Sequence, residues 1–192
     1  MSAWDRLTAE LDAWAAAGLT TALWWRDDDA ADATPALDRL LALRRDAGAP
    51  LALAVVPATA AAALARALAG ERDIDILQHG FAHRNHRPAG EKKAELGAER
   101  GLWDIAREIA DGRGRLDALF GDGRWLEVMV PPWNRIDPAV AALLPGLGFH
   151  GLTGFGPRAV PETVPGLVAV NTHVDIVDWR TTRGFAGDDA CI

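Results

Sequence analysis

The chain is short of cysteine. Cys191 is its only one, so no disulfide can form within it, and a reducing compartment is compatible. It has no block of basic residues, and the formal net charge is −7. That argues against nucleic acid and anionic membranes as partners. No apolar run reaches the length of a membrane span. The start, Met1-Ser2-Ala3-Trp4-Asp5-Arg6, lacks the basic and apolar regions of a signal peptide. The expected location is the cytoplasm. There is no GxGxxG and no P-loop, so a nucleotide cofactor has no support. Internal repeats, low-complexity linkers and domain boundaries are also missing. A length of 192 residues suits one domain, 1–192, with a full hydrophobic core.

What is present is an ordinary globular composition, 49% hydrophobic and 24% charged, in which strand-like and helical patterns alternate. Leu7, Leu11, Trp14 and Ala15 predict a helix over 3–17, ended by Gly18. Residues 19–26 predict the first strand. Thr34-Pro35 reads as an N-cap with Pro at the first helical position, opening a helix that runs to Gly48. Residues 51–56 predict a buried strand, an Ala-rich helix follows to Gly70, and Ile74-Asp75-Ile76-Leu77 predicts a further strand. Leu96, Leu102, Trp103, Ile105, Ile109, Leu116 and Leu119 predict a long helix over 91–120, broken or kinked at Gly112 and Gly114. Strands are expected at 125–130, 150–154 and 167–171, with a short helix from Asp137-Pro138. Residues 154–166 read as a loop. Trp14 and Trp103 fall on apolar helix faces and are expected in the core; Trp24 and Trp25 should point to opposite faces of a strand. Alternation of this kind predicts an α/β fold with a mainly parallel sheet, open or closed into a barrel.

Two strand ends carry the chemistry. Three of the five histidines lie in Gln78-His79-Gly80-Phe81-Ala82-His83-Arg84-Asn85-His86. His79 and His83 are spaced to aim both rings at one point, and two convergent imidazoles are half of a zinc-type site. Far upstream, Trp25-Arg26-Asp27-Asp28-Asp29-Ala30 ends another strand in three adjacent carboxylates. One of these can complete an Asp-His-His metal site while a neighbour stays free as a general base. The carboxyl ends of parallel strands lie on one face, where sites are built.

These two stretches, together with Pro131-Pro132-Trp133 and Asp178-Trp179, resemble the ordered motifs of the polysaccharide deacetylase family (the NodB-homology domain). The resemblance covers roughly residues 20–180. It implies a distorted or incomplete (β/α) barrel of about six to seven parallel strands. It also implies a divalent metal, usually Zn2+, held by one Asp and two His, and hydrolysis of an N-acetyl or related amide on a sugar.

Carried over to this chain, His79 and His83 become the metal-binding histidines. Aligning Ala30 with the family's small residue makes Asp28 the base and Asp29 the ligand; the other register uses Asp27 and Asp28. Trp133 supplies a backbone N–H toward the oxyanion, and Pro132, Asn134, Asp178 and Trp179 line the substrate site. The family's arginine, which orients the base, is replaced by Val130, and Arg26 or Arg135 is the candidate substitute. Asn85 is expected to hold the loop. The family's last strand, with its acid histidine, is not found before Ile192. This implies a shortened C-terminal end and leaves His173 as the candidate acid. An open barrel edge would then be available for pairing with a second chain. Two rival readings stand beside the deacetylase: a weak or inactive relative that only binds a carbohydrate, and another metal hydrolase on the same barrel.

Overall fold

The computed structural model describes residues 1–121 and 123–192. They form two compact units, one spanning 24–171 and the other built from 1–23 and 172–192.

In the smaller unit, helix α1 (Ala3–Ala16) starts at a capping box. Ser2 accepts from the Asp5 N–H, and the Asp5 carboxylate accepts from the Ser2 N–H. A short helix near the C-terminus is tied to α1 by Trp4 Nε1 donating to Asp188 and by an ion pair of Arg6 with Asp189. The predicted first strand is not found over 19–24: among the described residues no strand pairs with this stretch, and Leu19 and Leu23 are exposed.

The larger unit is a seven-stranded sheet with helices: β1 (Trp25–Ala30), α2 (Pro35–Ala47), β2 (Leu51–Val55), α3 (Ala62–Leu68), β3 (Ile74–His79), α4 (Leu102–Phe120), β4 (Val128–Val130), α5 (Pro138–Ala141), β5 (Gly151–Leu152), β6 (Glu162–Val164) and β7 (Leu167–Ala169). The strand order is β1-β2-β3-β4-β5-β7-β6. Every pair is parallel except β6 with β7. The sheet is not closed. Where a loop was expected at 154–166, β6 forms an antiparallel hairpin with β7 through Gly166, whose φ of +83° suits glycine.

Local chemistry accounts for most boundaries. Thr34 accepts from the Leu37 N–H, Pro35 opens α2, and Gly48 closes it in the left-handed region. Asp137 caps α5 in the same way. The long helix begins at Leu102, not near 91. Leu96, which mimics helical spacing, instead forms a bridge with Ile136 and is buried there. Gly112 does not break α4. It lets Gln78 of β3 approach, since a Cβ there would stand 2.5 Å from Gln78 Nε2. Gln78 can then donate to the Ile109 and Gly80 carbonyls from a fully buried position.

The strands have two unlike faces. One carries Leu51, Leu53, Val55, Ile74, Ile76 and Met129 into the main core with α2, α3 and α4. Full burial of each such side chain is worth about 1.5–3 kcal/mol. The other face carries the small group Ala52, Ala54, Leu77 and Val130. Arg26 is in register with Ala52, so it stands on this second face. It donates to the Thr153 carbonyl at 3.2 Å and to the Thr153 hydroxyl at 3.0 Å, just beyond β5. In a flat sheet β1 and β5 would be separated by roughly 19 Å, four strand spacings, far beyond an arginine's reach. The sheet therefore curls around this face as an incomplete barrel, with Arg26 spanning the gap.

Candidate metal centre

The chain reaches the centre through an irregular β1. Asp27 pairs with Leu53, but Ala30 pairs with Val55, so β1 has one residue more than β2 in this interval. That is a bulge, and Asp29 sits in it with φ +70°. Simple alternation would place Asp28 and Asp29 on opposite faces. The bulge instead lets two consecutive carboxylates serve the same strand end.

Asp29 is the aspartate that meets both histidines. Its Oδ1 lies 3.1 Å from His79 Nε2 and 3.2 Å from His83 Nε2. The ligand atoms of the three residues all fall within 4.8 Å of one another. His79, the last residue of β3, is 1% exposed, and its Nδ1 bonds the Val130 carbonyl of β4 at 2.9 Å. A carbonyl can only accept, so Nδ1 carries the proton and Nε2 presents its lone pair to Asp29. A carboxylate oxygen and an imidazole lone pair at this distance repel unless a proton or a cation lies between them. The residues therefore fit a divalent metal: one hard oxygen and two borderline nitrogens, with the His79 ring oriented by a carbonyl behind it. Where a proton fills that gap instead, the resulting hydrogen bond with His79 is the main reason that the Asp29 carboxyl is held below its usual range.

Asp28 is bound differently. Arg26 Nε donates to its Oδ1 at 2.8 Å and Nη2 to its Oδ2 at 3.0 Å. The Arg26 side chain is 4% exposed and that of Asp28 is 31% exposed. Arg26 is itself held by Thr153, by the Gly154 carbonyl and by Asn134 Oδ1 at 2.7 Å. Of the two arginines considered as substitutes at Val130, Arg26 thus contacts Asp28, while Arg135 donates to the Lys93 carbonyl. Asp27, in register with core residue Leu53, keeps an exposed side chain. Partial loss of water, then the adjacent charges of Asp28 and Asp29, push it up to about 6.

Trp133 and Asn134 follow β4 in a tight turn, both with φ +56°. The Trp133 ring packs on His83 with centroids 4.3 Å apart, and the Trp133 backbone N–H meets no protein acceptor among the described residues. Pro132 is buried beneath the turn and would collide with any Cβ at Gly80. Among the described residues, four of the six non-glycine residues with positive φ, Asp29, His83, Trp133 and Asn134, belong to this centre. Sparsely populated backbone of this kind gathers at functional sites.

One residue of the site was missed from sequence. Glu95 is completely buried, and its carboxylate accepts the N–H groups of Phe81, Ala82 and Arg84. It fixes the loop that carries His83. It lies in the stretch misread as helix, so no motif marked it. Asn85 holds the next part of the loop, accepting from Arg87 and Ala94. His173, Asp178 and Trp179 belong to the smaller unit. His173 is exposed, Asp178 accepts the Arg180 and Thr181 N–H groups of its own turn, and Trp179 Nε1 donates to Asp175. Trp14 and Trp103, expected in the core, are 37% and 82% exposed. Both lie on helix faces that no neighbouring element covers enough to bury them.

No protein-family model matches the chain, and no curated protein matches it by sequence. Solved structures do. A protein from Mycobacterium smegmatis assigned as a polysaccharide deacetylase matches with a TM-score of 0.57 at 18% identity, over 79% of this chain and 51% of its own. The chain thus spans about half the length of that protein. A de-N-acetylase from Aggregatibacter actinomycetemcomitans matches with a TM-score of 0.60 at 12% identity, over 83% of this chain and 74% of its own. A family 4 acetyl xylan esterase from Clostridium thermocellum, solved with a cobalt ion, matches with a TM-score of 0.52 at 16% identity, over 80% and 74%. At these identities the likeness is one of fold, and the fold is that of the polysaccharide deacetylases.

Proposed function

We propose that the protein is a metal-dependent hydrolase that removes an N-acetyl or similar acyl group from a carbohydrate. The observation that carries this reading is the pairing of two unlike carboxylates at one strand end. Asp29 faces His79 and His83, and Asp28 is clamped by Arg26. Asp29, His79 and His83 would hold the metal. Their donor set suits zinc, and the cobalt-bound esterase of like fold supports a divalent ion. When bound, the ion supplies Lewis acidity, making water more acidic and polarising the scissile carbonyl.

The remaining work falls to protein groups. Asp28 takes the proton of the attacking water. Its two bonds to Arg26 prevent the carboxylate from rotating, and its exposed edge leaves lone pairs for that proton. The Trp133 N–H donates to the carbonyl oxygen as it gains charge, a contribution of about 3 kcal/mol when well aligned. The Trp133 ring and Pro132 wall the site, and Asn134 keeps Arg26 in place.

The test is acetate release from an N-acetylated chito-oligosaccharide. Chelation should abolish it and zinc should restore it. Asp28→Asn should keep one equivalent of metal and lose about 10²–10⁴-fold in turnover, the usual contribution of a general base. Release that persists after chelation and in Asp28→Asn would refute the reading.

A further inference from the structure

The chain contains only two lysines, Lys92 and Lys93, and they are adjacent. Lys93 Nζ lies 5.8 Å from the centroid of the Trp133 ring, and that ring packs on His83. Arg135, two residues after Trp133, donates one guanidinium N–H to the Lys93 carbonyl at 2.9 Å. Among the described residues neither Lys93 nor Arg135 forms an ion pair. Their neighbour Arg87 does, with Glu91 and Glu99, and is neutralised. A groove of about 450 Å³ opens here, lined by Arg87, Asn134, Arg135 and Asp137. Asn134, one of its lining residues, holds Arg26, the partner of the proposed base Asp28.

The placement runs against the rest of the molecule. A chain of net charge −7 keeps two uncompensated cations at the mouth of its site. Three of the nearby aspartates are already engaged. Asp28 faces Arg26 and Asp29 faces the histidines, while Asp137 accepts the N–H of Ala139 as the cap of α5. On the other side of the Trp133–Asn134 turn, a second groove of about 290 Å³ is lined mainly by apolar residues, among them Leu152, Phe155, Pro157 and Val160. Its arginine, Arg158, is committed to the Ala169 carbonyl. Arg158 and Arg135 each donate to a carbonyl and neither forms an ion pair among the described residues; the groove of Arg135 differs in having a second such cation, Lys93, close by over the Trp133 ring.

We propose that the substrate is an anionic carbohydrate, and that Lys93 and Arg135 bind a carboxylate or phosphate on the sugar next to the acylated one. Lys93 offers a compact ammonium and Arg135 a planar fork, both suited to such groups. The Trp133 ring attracts the ammonium to its face, and that ring packs on His83. This inference rests on the deacetylase reading for its substrate class, but its test does not need turnover.

Three oligosaccharides of equal length are titrated by calorimetry against the zinc-loaded protein. One is neutral N-acetylchito-oligosaccharide, one alternates N-acetylglucosamine with glucuronate, and one is a chito-oligosaccharide bearing a phosphate monoester. At least one anionic ligand should bind about 3- to 10-fold tighter than the neutral one at low salt, the scale of two rim ion pairs. The preferred ligand identifies the anion, and high salt should erase the preference. Lys93→Gln and Arg135→Gln should each reduce it, and Lys93→Arg should retain it. Equal affinity of the wild type for all three, or a preference unchanged in both Gln variants, would overturn the proposal. Acetate release measured on the same samples tests the deacetylase reading separately. Its absence with every ligand would refute that reading while leaving a charge-dependent binding preference standing.

Discussion

The outer and inner faces of the curled sheet are built on opposite terms. The outer face offers Leu51, Leu53, Val55, Ile76 and Met129 to a core shared with α2, α3 and α4. The inner face offers Ala52, Ala54, Leu77 and Val130 and then, toward the carboxyl ends, Arg26, Asp28 and His79. Large apolar groups on the outside carry most of the stability. Small ones on the inside leave room for the sheet to curl and for polar groups to converge. Substitutions on the two faces should therefore fail in different ways.

The largest effect is expected on the inner face. His79→Ala should lose stoichiometric zinc and all turnover, because two remaining ligands hold zinc poorly. Metal content after dialysis checks this, and retention of one full equivalent would remove the centre from His79. On the outer face, Ile76→Ala should cost about 2–5 kcal/mol, since Ile76 is fully buried and the cavity would be only partly refilled. Denaturant unfolding would show the loss, and zinc affinity of the folded protein should stay at the wild-type value. Loss of zinc affinity in Ile76→Ala without unfolding would break the separation of the two faces.

Arg26→Lys probes the join between them. The charge remains, but a lysine cannot clamp both oxygens of Asp28 while reaching Thr153 and Asn134. Loss of carboxylate orientation should lower kcat by about 10²-fold, with little change in KM or in zinc affinity. An unchanged kcat would show that the clamp does not position Asp28.

How much of this was legible in the sequence follows from the distances involved. His79, His83 and the aspartates sit in short motifs at strand ends, so residue type and spacing marked them. The helices over 3–16 and 35–47 were marked by the spacing of Leu7, Leu11 and Trp14, by Thr34-Pro35 and by Gly18 and Gly48, all local signals. The role of Arg26 could only be guessed, because it depends on the curl that brings β1 and the end of β5 together. Glu95 was missed because its partners are backbone N–H groups, which leave no trace in composition. Leu96 misled the reading of its stretch, since helical spacing cannot be told from a chance match when the partner is Ile136, forty residues away. Gly112 was read as a helix breaker, when its lack of a side chain serves packing against Gln78.

The smallest effect is expected where the His83 loop meets α4. Arg100 forms a two-bond ion pair with Glu108 of α4 at 2.6 and 2.7 Å, and His86 lies in the same cluster. Burial first, and then the Arg100 charge, hold the His86 ring below the usual histidine range, with Glu108 and Glu95 opposing. The hydrogen bonds from Arg100 hold Glu108 below the usual carboxylate range against burial. For His86 the unfolded chain binds the proton more readily than the folded one. Stability is then flat above the ordinary histidine value of about 6.5 and falls as pH drops below it, until the folded ring also protonates. For Glu108 the contribution is present above about 4.5 and is lost as pH falls through the lower folded value. A pH series of unfolding midpoints should thus show a shallow decline starting below about 6.5, partly offset below about 6 as Asp27 takes up its proton in the folded protein, and a further decline below about 4.5. His86→Gln should remove the first step and leave the second. If the first step survives in that variant, the group that titrates there is not His86, and the loop is coupled to α4 only through Arg100 and Glu108.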